Sequence, residues 1–259
     1  MQRSMFIAAT GMDAQSLNID VISNNLANVN TTGFKRSRAD FQELMYRTMQ
    51  QSSLNGDGNA ALSSMGLGSE ISNTDKLFLQ GELKATENPL DVAIQGKGFF
   101  EVSMPDGSYA YTRDGSLKVN TDGVLVDHNG YPINPVVQIP SDATDITFNA
   151  NGLVYAKVAN EVNPIEVGQL VLSDFINPSG LTPQGGNLYK PSAESGPVNY
   201  SNPTEDGFGS LTQGYLESSN VELVQEMLSL ILAQRAYEIN SKVVQASDEM
   251  LSLANNMRR

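Results

Sequence analysis

The C-terminal stretch of the chain carries the pattern that most restricts how it can fold. Apolar side chains recur every three or four residues over residues 221–257, which places them on one face of an α-helix. From Ile239 onward the steps alternate four, three, four, three, four, which is the spacing of a coiled-coil seam. At ~1.5 Å per residue the predicted helix is roughly 55 Å long. Such an apolar stripe needs a partner along its whole length.

The N-terminal stretch repeats this pattern. Apolar residues step by four and three from Met1 to Val29, with Gln15 as the polar exception and Gly11 as a weak point in the helix. We therefore expect the two terminal helices to pair as a coiled coil through their stripes. The alternative is two amphipathic helices that pack on one compact body.

Composition restricts the partners of the chain. No cysteine is present, so disulfides and thiolate chemistry are excluded. The net charge of −13 is uneven: residues 1–50 hold five basic and four acidic side chains, residues 51–214 seven and nineteen, and residues 215–259 four and six. The acidic middle argues against nucleic acid or an anionic membrane as a partner. Acidic middles repel one another while near-neutral ends can pack, which suggests a polymer with its termini inside.

Neither a membrane span nor a cleaved signal peptide is predicted. No apolar run approaches the ~20 residues that a membrane helix needs. Arg3 precedes a short apolar run at residues 5–12, but the helical spacing continues through that run. We interpret it as the start of the first helix.

Residues 76–217 are predicted to form a mainly antiparallel β domain. Residues 90–102 are typical of two strands around a glycine turn, and residues 167–175 of one further strand. Residues 178–209 are predicted to be mostly loop. Turn dipeptides separate short β-prone stretches at Asp106-Gly107, Asp114-Gly115, Asp122-Gly123, Asn129-Gly130 and Asn151-Gly152.

The segment between the first helix and the β domain is polar. Residues 46–73 are rich in Ser, Gly, Asn and Gln, which predicts an extended arm or, equally, a disordered linker. The predicted fold class is α+β: N- and C-terminal helices paired as a coiled coil, a mainly antiparallel β middle domain and an extended arm. The predicted domains are residues 1–33 with 218–259, a connecting segment 34–75, and residues 76–217.

No catalytic, cofactor or metal site is predicted. His128 is the single histidine and lies in a predicted turn, so no second imidazole is available for a metal site. The Asp-Gly repeats do not fit a calcium loop, because the best frame places Lys118 where the first carboxylate is needed. Carboxylate pairs for glycan hydrolysis stay an alternative among so many acids, although a solvated surface explains them better.

Four stretches in order resemble the bacterial flagellar rod and hook family. They are residues 24–35 (NNLANVNTTGFK), 91–100 (DVAIQGKGFF), 110–116 (AYTRDGS) and 234–251 (QRAYEINSKVVQASDEML). The likeness covers most of the chain and favours members at the distal end of the rod over the longer hook proteins. A proximal rod subunit is the alternative within the family, and a secreted β-domain binding module or adhesin is the alternative outside it.

The resemblance implies a structural, non-enzymatic subunit of the distal rod. Such subunits are exported by the flagellar type III apparatus without a cleaved signal peptide. They stack helically into a rigid hollow drive shaft that spans the periplasm in the basal body and transmits torque from motor to hook. The implied partners are copies of the chain, proximal rod and hook proteins, and peptidoglycan and outer-membrane ring proteins. Nucleic acid, membrane insertion and cofactors are not implied.

The resemblance implies assembly contacts in the two terminal stretches. Asn24 and Asn28, one turn apart, are expected to hydrogen-bond a neighbouring chain, unless they belong to a solvated helix end that stops at Gly33. The resemblance also implies that the arm braces neighbouring subunits. The full set of expected contact residues is Asn24, Asn25, Leu26, Asn28, Gly33, Phe34, Leu228, Leu232, Gln234, Arg235, Tyr237, Ile239, Asn240 and Val243.

Overall fold

The computed structural model describes residues 2–50, 62–158 and 163–257. Two long helices lie near the ends of the chain, α1 (Gln2–Ala27) and α2 (Leu223–Asn256). They confirm the two predicted terminal helices. α1 ends before the asparagine-rich stretch is complete, because Asn28 forms a turn in which its carbonyl oxygen accepts the Thr31 N–H.

Short strands fill most of the described chain between the helices, and a short 3-10 turn lies at Pro178–Gly180. The strands are β1 (Ser37–Glu43), β2 (Tyr46–Gln50), β3 (Leu62–Gly66), β4 (Ser69–Lys76), β5 (Leu83–Ala85), β6 (Val92–Gln95), β7 (Phe99–Ser103), β8 (Tyr109–Thr112), β9 (Lys118–Val119), β10 (Leu125–Val126), β11 (Ile133–Asn134), β12 (Ala143–Phe148), β13 (Leu153–Val158), β14 (Ile165–Gln169), β15 (Leu172–Phe175), β16 (Thr182–Gly185), β17 (Leu188–Lys190), β18 (Val198–Ser201), β19 (Ser210–Gln213) and β20 (Tyr215–Glu217).

The chain divides into two compact units. The helical unit contains Met1–Ala27, Ser37–Asp75 and Glu222–Arg259, and the β unit contains Asn28–Arg36 and Lys76–Val221. The short segment that follows α1 therefore belongs to the β unit, whereas the polar segment after it belongs with the helices.

Within the helical unit the two helices run antiparallel. Three contacts mark their register: Ser4 with Ser247, Gly11 with Asn240, and Asn25 with Glu226. From one contact to the next α1 advances by seven and then fourteen residues, while α2 retreats by the same numbers. Both steps are multiples of seven residues, so the two helices keep one constant register along their contact, as in a regular antiparallel helical hairpin.

The polar segment that follows residues 28–36 forms a β ribbon of four strands, β1 to β4. β1 pairs with β4, and β2 pairs antiparallel with β3 from Tyr46↔Gly66 to Gln50↔Leu62. Residues 51–61, in the middle of the predicted arm, lie outside the described residues. Sequence patterns miss these strands because most described positions of β1 and β4 are exposed or half-buried, so no apolar alternation marks them.

The β unit is mainly antiparallel, as predicted. Its largest sheet has the order β16-β17-β8-β7-β15-β18, with β11 also pairing with β7, and a three-stranded sheet has the order β12-β13-β14. Successive residues of a strand point to opposite faces of the sheet. Accordingly Phe100 belongs to the main core, whereas Phe99 joins a second cluster with Tyr111, Phe175 and Tyr189.

The turn predictions are mostly confirmed. The glycines of four predicted dipeptides have positive φ and donate their N–H to the carbonyl three residues earlier: Gly107, Gly123, Gly130 and Gly152.

One strand prediction and one loop prediction are wrong. The predicted single strand at residues 167–175 divides into β14 and β15, and the predicted loop at 178–209 contains β16, β17 and β18. Glycine and proline interrupt these short strands and hide their alternation.

Candidate assembly interface

The apolar stripe of α2 lies on the surface of the protein. Leu228 is 58% exposed, Leu232 70%, Ile239 61% and Val243 41%. The same face continues with further exposed apolar side chains, Val224, Met250, Leu253 and Met257. Large apolar side chains that follow one helix face without cover are unusual on a soluble monomer. The apolar residues expected at assembly contacts on α2 therefore share one exposed surface.

α2 turns a different face towards α1. Its fully buried side chains, in the described part of α2, are those of Glu226, Ala233 and Ser247. A Cβ atom on Gly11 would lie 2.9 Å from Asn240 Nδ2, so the two helices approach closely. The prediction that the α2 stripe packs on the N-terminal helix is therefore wrong for the single chain. Spacing identifies an apolar stripe but does not say which helix covers it.

Asn25 ties three segments of the helical unit together. Its side chain is buried, and Nδ2 donates to the Ser37 carbonyl at 2.8 Å and lies 3.4 Å from Glu226 Oε2. Its Oδ1 accepts the Ser37 N–H at 2.9 Å. Asn25 is thus a clamp within the chain. Asn24 is exposed, and Leu26 and Asn28 are half-buried, so their contact with a neighbouring chain stays a prediction.

Gly33 and Phe34 are held in the β unit. Gly33 has a φ of +67° and donates its N–H to the Glu217 carbonyl at 2.8 Å. A Cβ atom there would lie 2.8 Å from the Asp114 nitrogen, so only glycine fits. Phe34 is buried, and Lys76 Nζ lies 4.9 Å from its ring centroid. Gly33 has the left-handed conformation of a helix cap, but α1 ends six residues earlier.

A buried charged cluster lies beside Gly33. Lys35 Nζ lies 2.5 Å from Glu217 Oε1 and donates to the Leu79 carbonyl at 2.7 Å. Arg113 Nη1 lies 3.5 Å from Glu217 Oε2, and Nη2 donates to the Gly96 carbonyl at 2.7 Å. Burial lowers the pKa of Lys35 below its usual range, although the Glu217 charge acts in the opposite direction. Burial also lowers the pKa of Arg113.

Asn220, just before α2, hydrogen-bonds two other segments of the β unit, at Arg36 and at residues 77–79. Its Oδ1 accepts the Arg36 N–H at 2.7 Å, and its Nδ2 donates to the carbonyls of Leu77 and Leu79 at 2.8 and 3.1 Å. The Leu77 N–H in turn donates to the Arg36 carbonyl at 2.8 Å. The segment before α2 is therefore fixed to the segment that follows α1.

Sequence reasoning missed Lys35, Arg113 and Glu217 as a group. Lys35 and Arg113 fall within the stretches that resemble the flagellar family, at residues 24–35 and 110–116, but nothing in the sequence joins them. Glu217 lies outside those stretches and 182 residues from Lys35. A single sequence carries no signal for a contact at that separation.

The polar residues expected on α2 occupy different positions. Gln234 and Arg235 are exposed, and Arg235 forms an exposed ion pair with Glu238 at 2.8 Å. Tyr237 is partly exposed, and Asn240 faces α1. Asn240 thus belongs to the contact between the two helices, and contacts of this group with neighbouring chains stay a prediction.

One cluster outside the helices has the donor atoms of a metal site. His128 Nδ1 lies 2.8 Å from Asp127 Oδ1 and 3.2 Å from Asp114 Oδ2, and the two carboxylates are buried. Both carboxylates also accept N–H groups of their own turns, from His128 and Ser116. These local bonds explain the arrangement as turn structure.

Three family models match the chain in sequence order. The model described as "Flagella basal body rod protein" matches residues 5–35, which contain most of α1 and the segment through Lys35. The "Flagellar hook protein FlgE/F/G D1 domain" matches residues 93–156 in the β unit. The "Flagellar basal body rod FlgEFG protein C-terminal" model matches residues 212–257, which contain Glu217 and α2.

Whole-chain relatives agree with these models. The flagellar basal-body rod protein FlgG of Borreliella burgdorferi is 45% identical over the full length of both chains. FlgG of Caulobacter vibrioides is 45% identical over 97% of each chain, and FlgG of Bacillus subtilis is 36% identical over the full length of both. The chain belongs to the flagellar basal-body rod protein family.

Within that family the chain is similar to FlgG. It is a structural subunit of the flagellar rod and is located in the basal body. In the described part of the chain, neither terminal helix has the continuous apolar run that crossing a bilayer requires.

Proposed function

We propose that copies of this chain associate through the exposed stripe of α2 and stack helically into the distal rod, a rigid hollow shaft that carries torque from motor to hook. One observation carries the proposal: the stripe is exposed, while α2 contacts α1 through another face, which carries the buried side chains of Glu226, Ala233 and Ser247. Each stripe residue that becomes fully buried contributes roughly 1–2 kcal/mol. The three-four spacing of the stripe suits a coiled coil with helices of other copies.

The charge distribution supports the same arrangement. Residues 51–214 hold seven basic and nineteen acidic side chains, whereas both ends are near neutral. Acidic β units repel one another less when they face outward into salt solution than when they pack at the centre of a shaft. We infer that the helices form an inner tube and the β unit faces outward. In this proposal the β ribbon braces neighbouring subunits.

The further partners follow from membership of the rod family. We infer that the shaft joins proximal rod and hook proteins at its ends, passes through peptidoglycan and outer-membrane rings, and is built from chains delivered by the flagellar type III apparatus. The names of the relatives, which are basal-body rod proteins, support this inference. They also support a structural rather than an enzymatic role.

A variant with two acidic residues in the stripe tests the proposal. The double variant Leu228→Glu with Leu232→Glu is expected to stay monomeric at concentrations where the parent chain forms fibres or oligomers, because two carboxylates cannot be buried unpaired. The control Gln245→Glu with Ser252→Glu adds the same charge to exposed polar positions of the same helix. Sedimentation velocity and negative-stain electron microscopy over a concentration series measure the difference.

The control variant is expected to assemble like the parent chain. If the stripe variant assembles as readily as the control, the stripe is not the interface between copies. If the parent chain stays monomeric even with a rod seed, the helices serve the folded monomer, and the binding-module hypothesis takes precedence.

A further inference from the structure

The face of the β7 sheet that carries Phe99 has a pocket away from the charged cluster. The pocket has a volume of about 320 Å³ and is lined by Glu101, Tyr109, Asn134, Ser173 and Tyr200, among others. Small-molecule sites in proteins span ~300–1,000 Å³, so this pocket suits one side chain or a small ligand. All of its lining residues belong to the β unit.

A buried carboxylate forms part of the pocket floor. Glu101 is 2% exposed, and its two oxygens accept hydrogen bonds from Asn134 Nδ2 and from the Tyr200 hydroxyl, the latter at 2.7 Å. A carboxylate offers about four acceptor positions, so roughly two remain. In the described part of the chain no basic side chain forms an ion pair with Glu101. A buried charge without a counter-charge is unfavourable.

A second buried polar group lines the same pocket without a partner. Ser173 is fully buried, and its Oγ has no hydrogen-bond partner among the residues that the structure describes. Folded proteins satisfy nearly all buried polar groups, so an unpaired hydroxyl in a pocket indicates a missing ligand. Tyr109 and Tyr200 are 49% and 55% exposed and supply an aromatic rim. Aromatic faces attract cations.

We propose that this pocket receives one arginine or lysine side chain of a basic partner protein. The Glu101 carboxylate supplies the counter-charge, the Ser173 hydroxyl an acceptor and the tyrosine rings cation–π contacts. A neutral sugar could stack on the same rings but would leave Glu101 without a counter-charge. The acidic excess of residues 51–214 attracts a basic partner and disfavours a second copy of this chain. The proposal does not depend on polymerisation, because the pocket lies within the β unit.

Titration of the full chain with capped amino acids tests the proposal. Nα-acetyl-arginine N-methylamide and its lysine counterpart present the side chain as a peptide would, and the citrulline compound is the neutral isostere of arginine. The readout is the NMR shift of the labelled ring resonances of Tyr109 and Tyr200 in dilute, monomeric protein. The two cationic compounds are expected to shift these resonances saturably, and the citrulline compound is not.

Variants test whether the Glu101 charge is responsible for the binding. Glu101→Gln keeps an acceptor but removes the charge, and it should weaken arginine binding about tenfold or more. The control Glu166→Gln, at an exposed acid of the same unit, should leave it unchanged. Tyr109→Ala provides a second variant at a partly exposed rim position and should also weaken binding. Equal binding of citrulline, an unchanged affinity in Glu101→Gln, or equal shifts with N-acetylglucosamine in both proteins would overturn the proposal.

Discussion

At the scale of single residues, the ion pair between Lys35 and Glu217 explains how segments far apart in sequence are held together. Both side chains are fully buried, and Glu217 Oε1 also accepts the Gly81 N–H at 2.8 Å. Taking both charges out of water is costly, so such a pair adds specificity more than net stability. Removal of one partner is strongly destabilising, because it leaves the other charge buried without a counter-charge.

Lys35→Met is therefore expected to destabilise the protein by about 3 kcal/mol. Arg113 remains 3.5 Å from Glu217 and moderates the loss. The control is Arg38→Met, which removes an exposed ion pair with Asp40 and should change stability by less than about 1 kcal/mol. Urea denaturation of the two variants measures the free energy of unfolding. Equal losses in both would show that the buried pair has no special role.

Tyr189 predicts a dependence of stability on alkaline pH. Burial raises the pKa of Tyr189 above its usual range, and the charge of Glu217 acts in the same direction. A folded-state pKa that is raised contributes stability below the unfolded value of ~10, and this contribution is lost as pH rises further. Tyr111 and Tyr200 also have raised pKa values and act in the same sense. The lowered pKa of Lys35 acts in the opposite sense.

The free energy of unfolding should therefore fall more steeply above pH 10 in the parent chain than in Tyr189→Phe. Lys35 is present in both proteins, so its contribution cancels in the comparison. Urea denaturation at pH 9, 10, 10.5 and 11 measures the two slopes. Equal slopes in the two proteins would mean that Tyr189 does not contribute to the pH dependence of the free energy of unfolding.

At the scale of elements, the sequence predicts where helices and hairpins form better than it predicts which elements pack against them. The three-four spacing predicts α2 and its stripe correctly, because periodicity is a local property. It cannot show that α2 presents Glu226, Ala233 and Ser247 to α1, because these residues form a second, less apolar face. The ribbon strands are missed for the related reason that exposed polar strands carry no alternation.

The contact between the ribbon and α1 depends on a glycine. Gly68 has a φ of +121°, and a Cβ atom there would lie 2.2 Å from Thr10 Oγ1. Gly68→Ala is expected to destabilise the ribbon by about 1–3 kcal/mol through strain and displacement of Thr10. Gly66→Ala is the matched control, because among the described residues a Cβ atom there would meet the Tyr46 ring alone, at 3.6 Å.

Hydrogen exchange of the ribbon amides measures this effect. The Leu44 N–H, which donates to the Gly68 carbonyl at 2.9 Å, should lose protection in Gly68→Ala and keep it in Gly66→Ala. Unchanged protection in both variants would mean that the ribbon does not depend on this close approach.

At the scale of the whole molecule, the class of protein follows from local sequence patterns, whereas contacts between distant residues do not. The uneven charge and the apolar stripes at the two ends of the chain are enough to indicate a self-associating subunit. The assignment of residues 28–36 to the β unit was not predictable, because it depends on the Glu217 and Asn220 contacts. Relatives along the full length agree with the predicted class.

The central claim, that the α2 stripe becomes buried between copies, can be tested by thiol labelling. The chain has no cysteine, so Leu232→Cys or the control Gln245→Cys introduces a single reactive site. Maleimide labelling is compared between dilute monomer and assembled fibres. We expect labelling at residue 232 to slow on the order of tenfold on assembly, and labelling at residue 245 to change far less. If residue 232 reacts as fast in fibres as in the monomer, the stripe is not the assembly interface.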